Sequence, residues 1–213
     1  APPDDFAVKG QNWGFPTYNW PRLEASGYAW WRSRFQRMST CFDALRIDHI
    51  LGFFRIWEIP CGHVEGILGH FNPTQPLTRE ELRAAGFSRD PRRFAEPAVA
   101  EDALRTFFGH ETWRAAEEFL FQDTDGFRRI RPEYTAPEAR DAWCRSHCTA
   151  AEATRIASGM REVGFEVLFQ EDPDRPDRWH PRINFEETRV FQALPLEEQQ
   201  ALRRLHDDFF HRR

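Results

Sequence analysis

Alternation of apolar and charged positions is sharpest at Phe42-Asp43-Ala44-Leu45-Arg46-Ile47-Asp48-His49-Ile50. On a strand, Leu45 and Ile47 would face one way and Ala44, Arg46 and Asp48 the other. The apolar run continues through Ile50-Leu51-Gly52-Phe53-Phe54, which predicts a buried segment. A buried acid and guanidinium would then have to pair, because an unpaired buried charge costs several kcal/mol. In a parallel barrel, catalytic groups occupy this place, the C-terminal end of a strand with a loop behind it. Spacing alone leaves open a surface Arg/Asp pair on an edge strand. Upstream, Trp31, Phe35, Met38 and Phe42 repeat at helical spacing. They predict a helix capped by Ser26, with Trp30, Trp31 and Phe35 in the core, that leads into the strand as one helix-strand unit of a barrel wall. Residues 1–22, rich in Pro, Gly, Asn and Trp, show neither period and read as a long loop.

Beyond Pro60 the pattern turns helical. Thr78-Arg79-Glu80-Glu81 has the spacing of a capping box and opens a helix that Gly86 ends. Pro91, Pro97 and the Arg/Glu mixture between them read as irregular surface. Trp113, Ala116, Phe119 and Leu120 mark an amphipathic helix, preceded by a short one over residues 102–108. Pro137 suits the first turn of a long helix running to Val163, with Trp143, Cys144, Cys148, Ala151 and Met160 on its apolar side and Gly164 closing it. Residues 165–169 are expected to form a short strand, and Pro195 to open a last helix bearing Leu202, Leu205 and Phe209.

Composition removes several function classes. The net charge is −5 with 30% charged residues, and Lys9 is the single lysine, so the positive charge is carried by arginines scattered among acids. That arrangement builds no basic patch, and a nucleic-acid partner is not expected. No run approaches the roughly 18 apolar residues of a membrane span, and no signal peptide opens the chain. Cys41, Cys61, Cys144 and Cys148 lack the spacing of a disulfide framework, which points to the reducing cytoplasm. A complete (β/α)8 barrel takes about 250 residues before insertions. With 213 residues and no initial methionine, the chain is expected to be an internal fragment.

Several ordered words carry a family resemblance. Ala1-Pro2-Pro3-Asp4-Asp5-Phe6, Gly10-Gln11-Asn12-Trp13-Gly14-Phe15-Pro16-Thr17-Tyr18, Arg46-Ile47-Asp48-His49 and Trp57-Glu58-Ile59-Pro60 follow one another as in the amylomaltases. These are the 4-alpha-glucanotransferases, or disproportionating enzymes, among the glycoside hydrolases. The chain resembles most the branch similar to the plant cytosolic disproportionating enzyme, which carries a long insertion behind this strand. Similarity is dense over residues 1–60 and looser beyond, with residues 165–170 and 179–191 also resembling that branch. The fold this implies is α/β, a fragment of a (β/α)8 TIM barrel. Residues 1–69 would be part of the barrel and residues 70–213 a mainly α-helical insertion.

The resemblance also implies chemistry. Retaining transfer needs a carboxylate nucleophile and a carboxylic acid about 5 to 5.5 Å apart. Asp48 resembles the family's nucleophile, Arg46 the group that holds it, and His49 a histidine beside it that positions a sugar hydroxyl. Gln11, Asn12 and Trp13 fall on a loop that arches over the sugar groove in amylomaltases and are candidate substrate contacts. The acid/base glutamate has no matching motif. Glu171-Asp172 is not assigned to it, because Asp172-Pro173-Asp174-Arg175-Pro176 reads as a solvated turn. Cys144, His147 and Cys148 share helical spacing, but buried cysteines beside an incidental histidine are preferred to a zinc site, and no metal or cofactor is expected. The expected partners are a malto-oligosaccharide or glucan substrate and the remainder of the parent chain. A non-catalytic glucan-binding module and an alpha-glucan hydrolase of the same fold are the alternatives.

Overall fold

The computed structural model describes residues 1–61 and 63–212, the side chains of Glu111 and Arg114 aside. The chain is of mixed helix and strand and forms two compact units, Ala1–Thr74 and Gln75–Arg213.

The first unit opens with an irregular stretch that ends at α1 (Trp20–Ala25). Asn19 caps this helix through its side-chain oxygen, which accepts from the Arg22 amide at 3.0 Å, and Pro21 sits in the first turn. Ser26 therefore ends α1 and does not start the next helix, contrary to the sequence expectation. The chain reverses through Gly27 (φ 61°) and Tyr28 (φ 56°) into α2 (Ala29–Ser39). The stripe on α2 is not a buried one: Trp30 is 48% and Phe35 37% exposed, Trp31 is half-buried, and no residue of α2 is fully buried. Tyr18, Trp20, Trp31 and Phe53 nonetheless cluster, with ring centroids 5.3 to 5.5 Å apart. This cluster ties the opening stretch and both helices to the short 3-10 turn Ile50–Phe53.

Residues 44–48 form no strand and are exposed throughout, which corrects the expectation of a buried strand. The reason is non-local: a strand is stable only when its amides and carbonyls find a ladder on a neighbour, and otherwise they face water. Among the described residues of this unit, strand pairing is confined to the ribbon of β1 (Ile56–Glu58) and β2 (His70–Asn72), with Trp57 opposite Phe71.

The described residues of the second unit build two apolar cores. One gathers Leu77, Phe87, Phe94, Phe169, Trp179 and Phe209. It lies against a three-stranded antiparallel sheet, β3 (Leu77–Thr78), β7 (Arg178–Pro181) and β6 (Phe169–Glu171), in the order β3-β7-β6. The Thr78 capping box forms as expected and opens α3 (Arg79–Ala85), which Gly86 (φ 108°) ends. After α7 (Arg189–Gln192), Pro195 precedes α8 (Leu196–His211), whose Leu202 and Phe209 are buried. The region expected as irregular surface after Pro91 instead enters this core. Pro91 and Phe94 are buried in a 3-10 turn, and the Ala98 amide donates to the Glu166 carbonyl at 2.9 Å.

The other core gathers Leu104, Phe108, Phe119, Cys144, Ile156 and Met160. It packs α4 (Ala103–Ala116), broken at Gly109 (φ 78°, ψ 169°), against α6 (Ala150–Val163). Gly159 of α6 lies directly on the Phe108 ring, where a Cβ has no room. Phe119 and Leu120 leave the expected helix for a 3-10 turn and for β4 (Leu120–Gln122), which pairs with β5 (Arg128–Ile130). The single long helix expected from Pro137 to Val163 is two, α5 (Pro137–His147) and α6, because Thr149 and Glu152 build a capping box between them. Ala151 is exposed, and the expected strand over residues 165–169 is displaced to β6.

Candidate functional site

The Arg46-Ile47-Asp48-His49 segment presents its charges to water. The Arg46 Nη2 lies 3.3 Å from the Asp48 Oδ1, with the two side chains 88% and 89% exposed. An exposed pair of this kind contributes about 0 to 1 kcal/mol, so it orients the carboxylate more than it stabilises the unit. The buried pairing expected from the apolar run is corrected by this exposure. Directly after Asp48 the backbone turns: His49 is left-handed (φ 53°, ψ 49°), a conformation His tolerates better than most side chains, and starts the Ile50–Phe53 turn. Gly52 leaves space for the imidazole, since a Cβ there would lie 3.1 Å from the His49 Cδ2.

A second constellation is the loop bounded by Gly10 (φ 69°) and Gly14 (φ 68°). The Trp13 Nε1 donates to the Gln11 Oε1 at 2.8 Å. The Asn12 Nδ2 donates to the His63 carbonyl at 3.0 Å, and its Oδ1 accepts from the Gly14 amide at 2.9 Å. With its edge held, the Trp13 ring remains 69% exposed, edge-on to Phe15 at 6.4 Å. The base of the loop rests on Gly66: the Ile67 amide donates to the Lys9 carbonyl at 2.7 Å, and the buried Trp57 Nε1 donates to the Gly66 carbonyl at 2.8 Å. Sequence reasoning missed Trp57 and Gly66 as supports, because their role depends on a contact across some fifty residues that no local pattern announces.

In the second unit the expected turn after Glu171 is present, but Asp172 itself is buried. Its Oδ1 accepts from the Asp174 and Arg175 amides, and its Oδ2 meets Arg175 and the His180 Nε2, each at 2.9 Å. Burial alone would raise this carboxyl; Arg175, the turn amides and His180 outweigh it and hold the group below the ordinary aspartate value. It is a turn staple. Cys144 is buried, and His147 is exposed with its ring stacked on Trp143 at 4.5 Å. Among the described residues no group of three or more His, Cys, Asp or Glu side chains is placed to hold a metal ion. Among them, too, no helix is long and apolar enough to cross a membrane.

The sequence model of glycoside hydrolase family 77, described as 4-alpha-glucanotransferase, matches residues 1–198. The chain belongs to the 4-alpha-glucanotransferase family. It is 34% identical to the 4-alpha-glucanotransferase DPE2 of Oryza sativa subsp. japonica over 220 residues, which is 99% of this chain and 22% of that relative. A 4-alpha-glucanotransferase of Streptococcus pneumoniae serotype 4 is 48% identical over 113 residues, 51% of this chain and 22% of the relative. That of Aquifex aeolicus is 43% identical over 129 residues, 59% and 26% respectively. The chain thus spans about a quarter or less of these family members. No solved structure matches it.

Proposed function

We propose that this chain is the nucleophile-bearing segment of a 4-alpha-glucanotransferase that moves alpha-1,4-glucosyl or maltosyl units from a malto-oligosaccharide donor to a glucan acceptor. The observation that carries the reading is the family match over residues 1–198, which includes the Arg46-Ile47-Asp48-His49 word. In a retaining double displacement, Asp48 attacks the anomeric carbon and holds the glycosyl group covalently until an acceptor hydroxyl displaces it. Arg46 donates to that carboxylate, and its 3.3 Å approach supports the role. His49 positions a sugar hydroxyl beside the nucleophile. Gln11, Asn12 and Trp13 form the sugar-facing loop, in which the exposed indole offers a face for a pyranose ring.

Residues 1–69 then belong to the wall of a (β/α)8 barrel and residues 70–213 to a mainly helical insertion. The exposure of Phe42, Leu45, Ile47, Leu51 and Phe54 supports a neighbour here, the remainder of the parent chain, whose strands would give residues 44–48 their ladder. That remainder also supplies the acid/base carboxyl, so the 213 residues alone are inactive; general acid catalysis by itself is worth a factor of about 10² to 10⁴. The cytoplasm is the proposed compartment. The test is a chimera in which this segment replaces its counterpart in the rice relative. Digests of maltotriose are expected to contain longer oligosaccharides, and Asp48→Asn is expected to abolish them; a chimera that releases only shorter sugars would make the protein a hydrolase.

A further inference from the structure

The junction of α5 and α6 carries two thiols for which glucan transfer has no use. Cys144 is buried with Ile156 and Met160 in the last turn of α5. Cys148, partly exposed, is the residue that ends the helix; its amide donates to the Cys144 carbonyl at 2.9 Å, and its sulfur acts electrostatically on the Cys144 thiol. Four residues apart inside a regular helix, Cβ atoms are held about 5 to 6 Å apart, too far for the roughly 3.5 to 4.5 Å that a disulfide spans. At Cys148 the backbone leaves the helix for an extended conformation (φ −126°, ψ 153°), so its side chain is not bound to that regular spacing.

We propose that Cys144 and Cys148 form a reversible intramolecular disulfide, with glutathione disulfide or a similar small disulfide as the oxidant. The partly exposed Cys148 reacts first. Its thiolate attacks one sulfur of glutathione disulfide, forming a mixed disulfide and expelling a glutathione thiolate that takes up a proton. Cys144, deprotonated, then attacks the Cys148 sulfur and expels the second glutathione. Two protein thiols lose two electrons and two protons, and one glutathione disulfide becomes two glutathiones. Burial, reinforced by the neighbouring Cys148 sulfur, pushes the Cys144 thiol up to about 11, so Cys144 does not begin the exchange, and its attack on the Cys148 sulfur rests on proximity, being intramolecular. The exposed Cys41 and Cys61 would take up glutathione singly.

The test uses Cys41→Ser/Cys61→Ser protein treated with glutathione disulfide. The expected product has lost the mass of two hydrogens, carries no glutathione, and after denaturation has no alkylatable thiol until dithiothreitol is added. Cys144→Ala should keep one glutathione on Cys148. Cys148→Ser changes a partly exposed position outside the helix and should stay unmodified, since its remaining thiol is buried. A glutathione adduct that persists when both thiols are present, or two thiols still alkylatable after treatment and denaturation, would overturn the proposal.

Discussion

Gly66 and Gln11 meet backbone to backbone: a Cβ on Gly66 would lie 2.7 Å from the Gln11 nitrogen, closer than real Cβ atoms come. The loop carrying Gln11, Asn12 and Trp13 is therefore seated on a position where only glycine fits. Gly66→Ala should unseat it. In NMR spectra the Trp13 indole N–H should shift as its bond to Gln11 breaks, and amide exchange from Gly10 to Gly14 should accelerate. Unchanged exchange in that segment would show that the loop is held elsewhere.

Glu166 gives the second unit a stability that declines with pH. Its Oε2 accepts from the Val190 amide at 2.8 Å inside the fold. Burial raises its carboxyl from 4.5 to about 7 against the opposing pull of that amide, Arg182 and Arg189. The same burial lowers the Arg182 guanidinium to about 10, so desolvation outweighs the attraction between these two charges. Because the folded state holds the Glu166 proton more tightly than the unfolded one, the stabilisation is complete below pH 4.5 and is lost as pH rises through about 7. The loss is roughly 3 kcal/mol. His206 acts in the opposite sense: burial lowers its value from 6.5, so its contribution is present above 6.5 and is lost as pH falls from there through the lowered folded-state value. Asp123 and Asp172, held below 3.8, matter only in stronger acid. Urea titrations at pH 5 and pH 8 should therefore be compared with those of Glu166→Gln, in which the decline should shrink by most of that amount. An identical decline in the variant would remove Glu166 from the account.

Thr149 separates α5 from α6, its hydroxyl accepting from the Glu152 amide at 3.3 Å while the Glu152 carboxylate accepts from the Thr149 amide at 2.7 Å. Thr149→Ala should cost about 1 kcal/mol in chemical denaturation. A variant as stable as the parent would mean that packing alone sets the break.

The same residue shows why the fold was only partly legible in sequence. Both capping boxes are written as T-x-x-E, yet the one at Thr78 stands in front of an apolar period, whereas that at Thr149 lies inside one that runs on unbroken from Pro137. Local helix signals were readable there, as were the left-handed stop at Gly86 and the start after Pro195. What depends on distant partners was not. Residues 44–48 alternate like a strand but have no ladder, and the Pro- and Arg-rich stretch after Asp90 looks polar although its Pro91 and Phe94 are buried. At the candidate site, the nearness of Arg46 to Asp48 follows from two residues of separation. The left-handed turn at His49 and the seat formed by Trp57 and Gly66 do not, since both rest on contacts that sequence spacing leaves undefined.

Trp13 tests the sugar-facing reading of the loop. Its ring is 69% exposed, so truncation removes little buried surface. In the rice chimera, Trp13→Ala should weaken malto-oligosaccharide binding by roughly 1 to 3 kcal/mol, the range for lost stacking on an aromatic ring, with little change in melting temperature. Lower stability with unchanged affinity would make Trp13 a structural residue.

The most direct measurement is chain transfer from maltotriose by the chimera, with and without Asp48→Asn. That change keeps the size of the side chain and a hydrogen-bond acceptor for Arg46 but removes the nucleophilic carboxylate. The account predicts longer oligosaccharides from the parent chimera and none above background from the Asp48→Asn variant, which should still bind maltotriose. Undiminished transfer by the variant would contradict the assignment of Asp48 as the nucleophile.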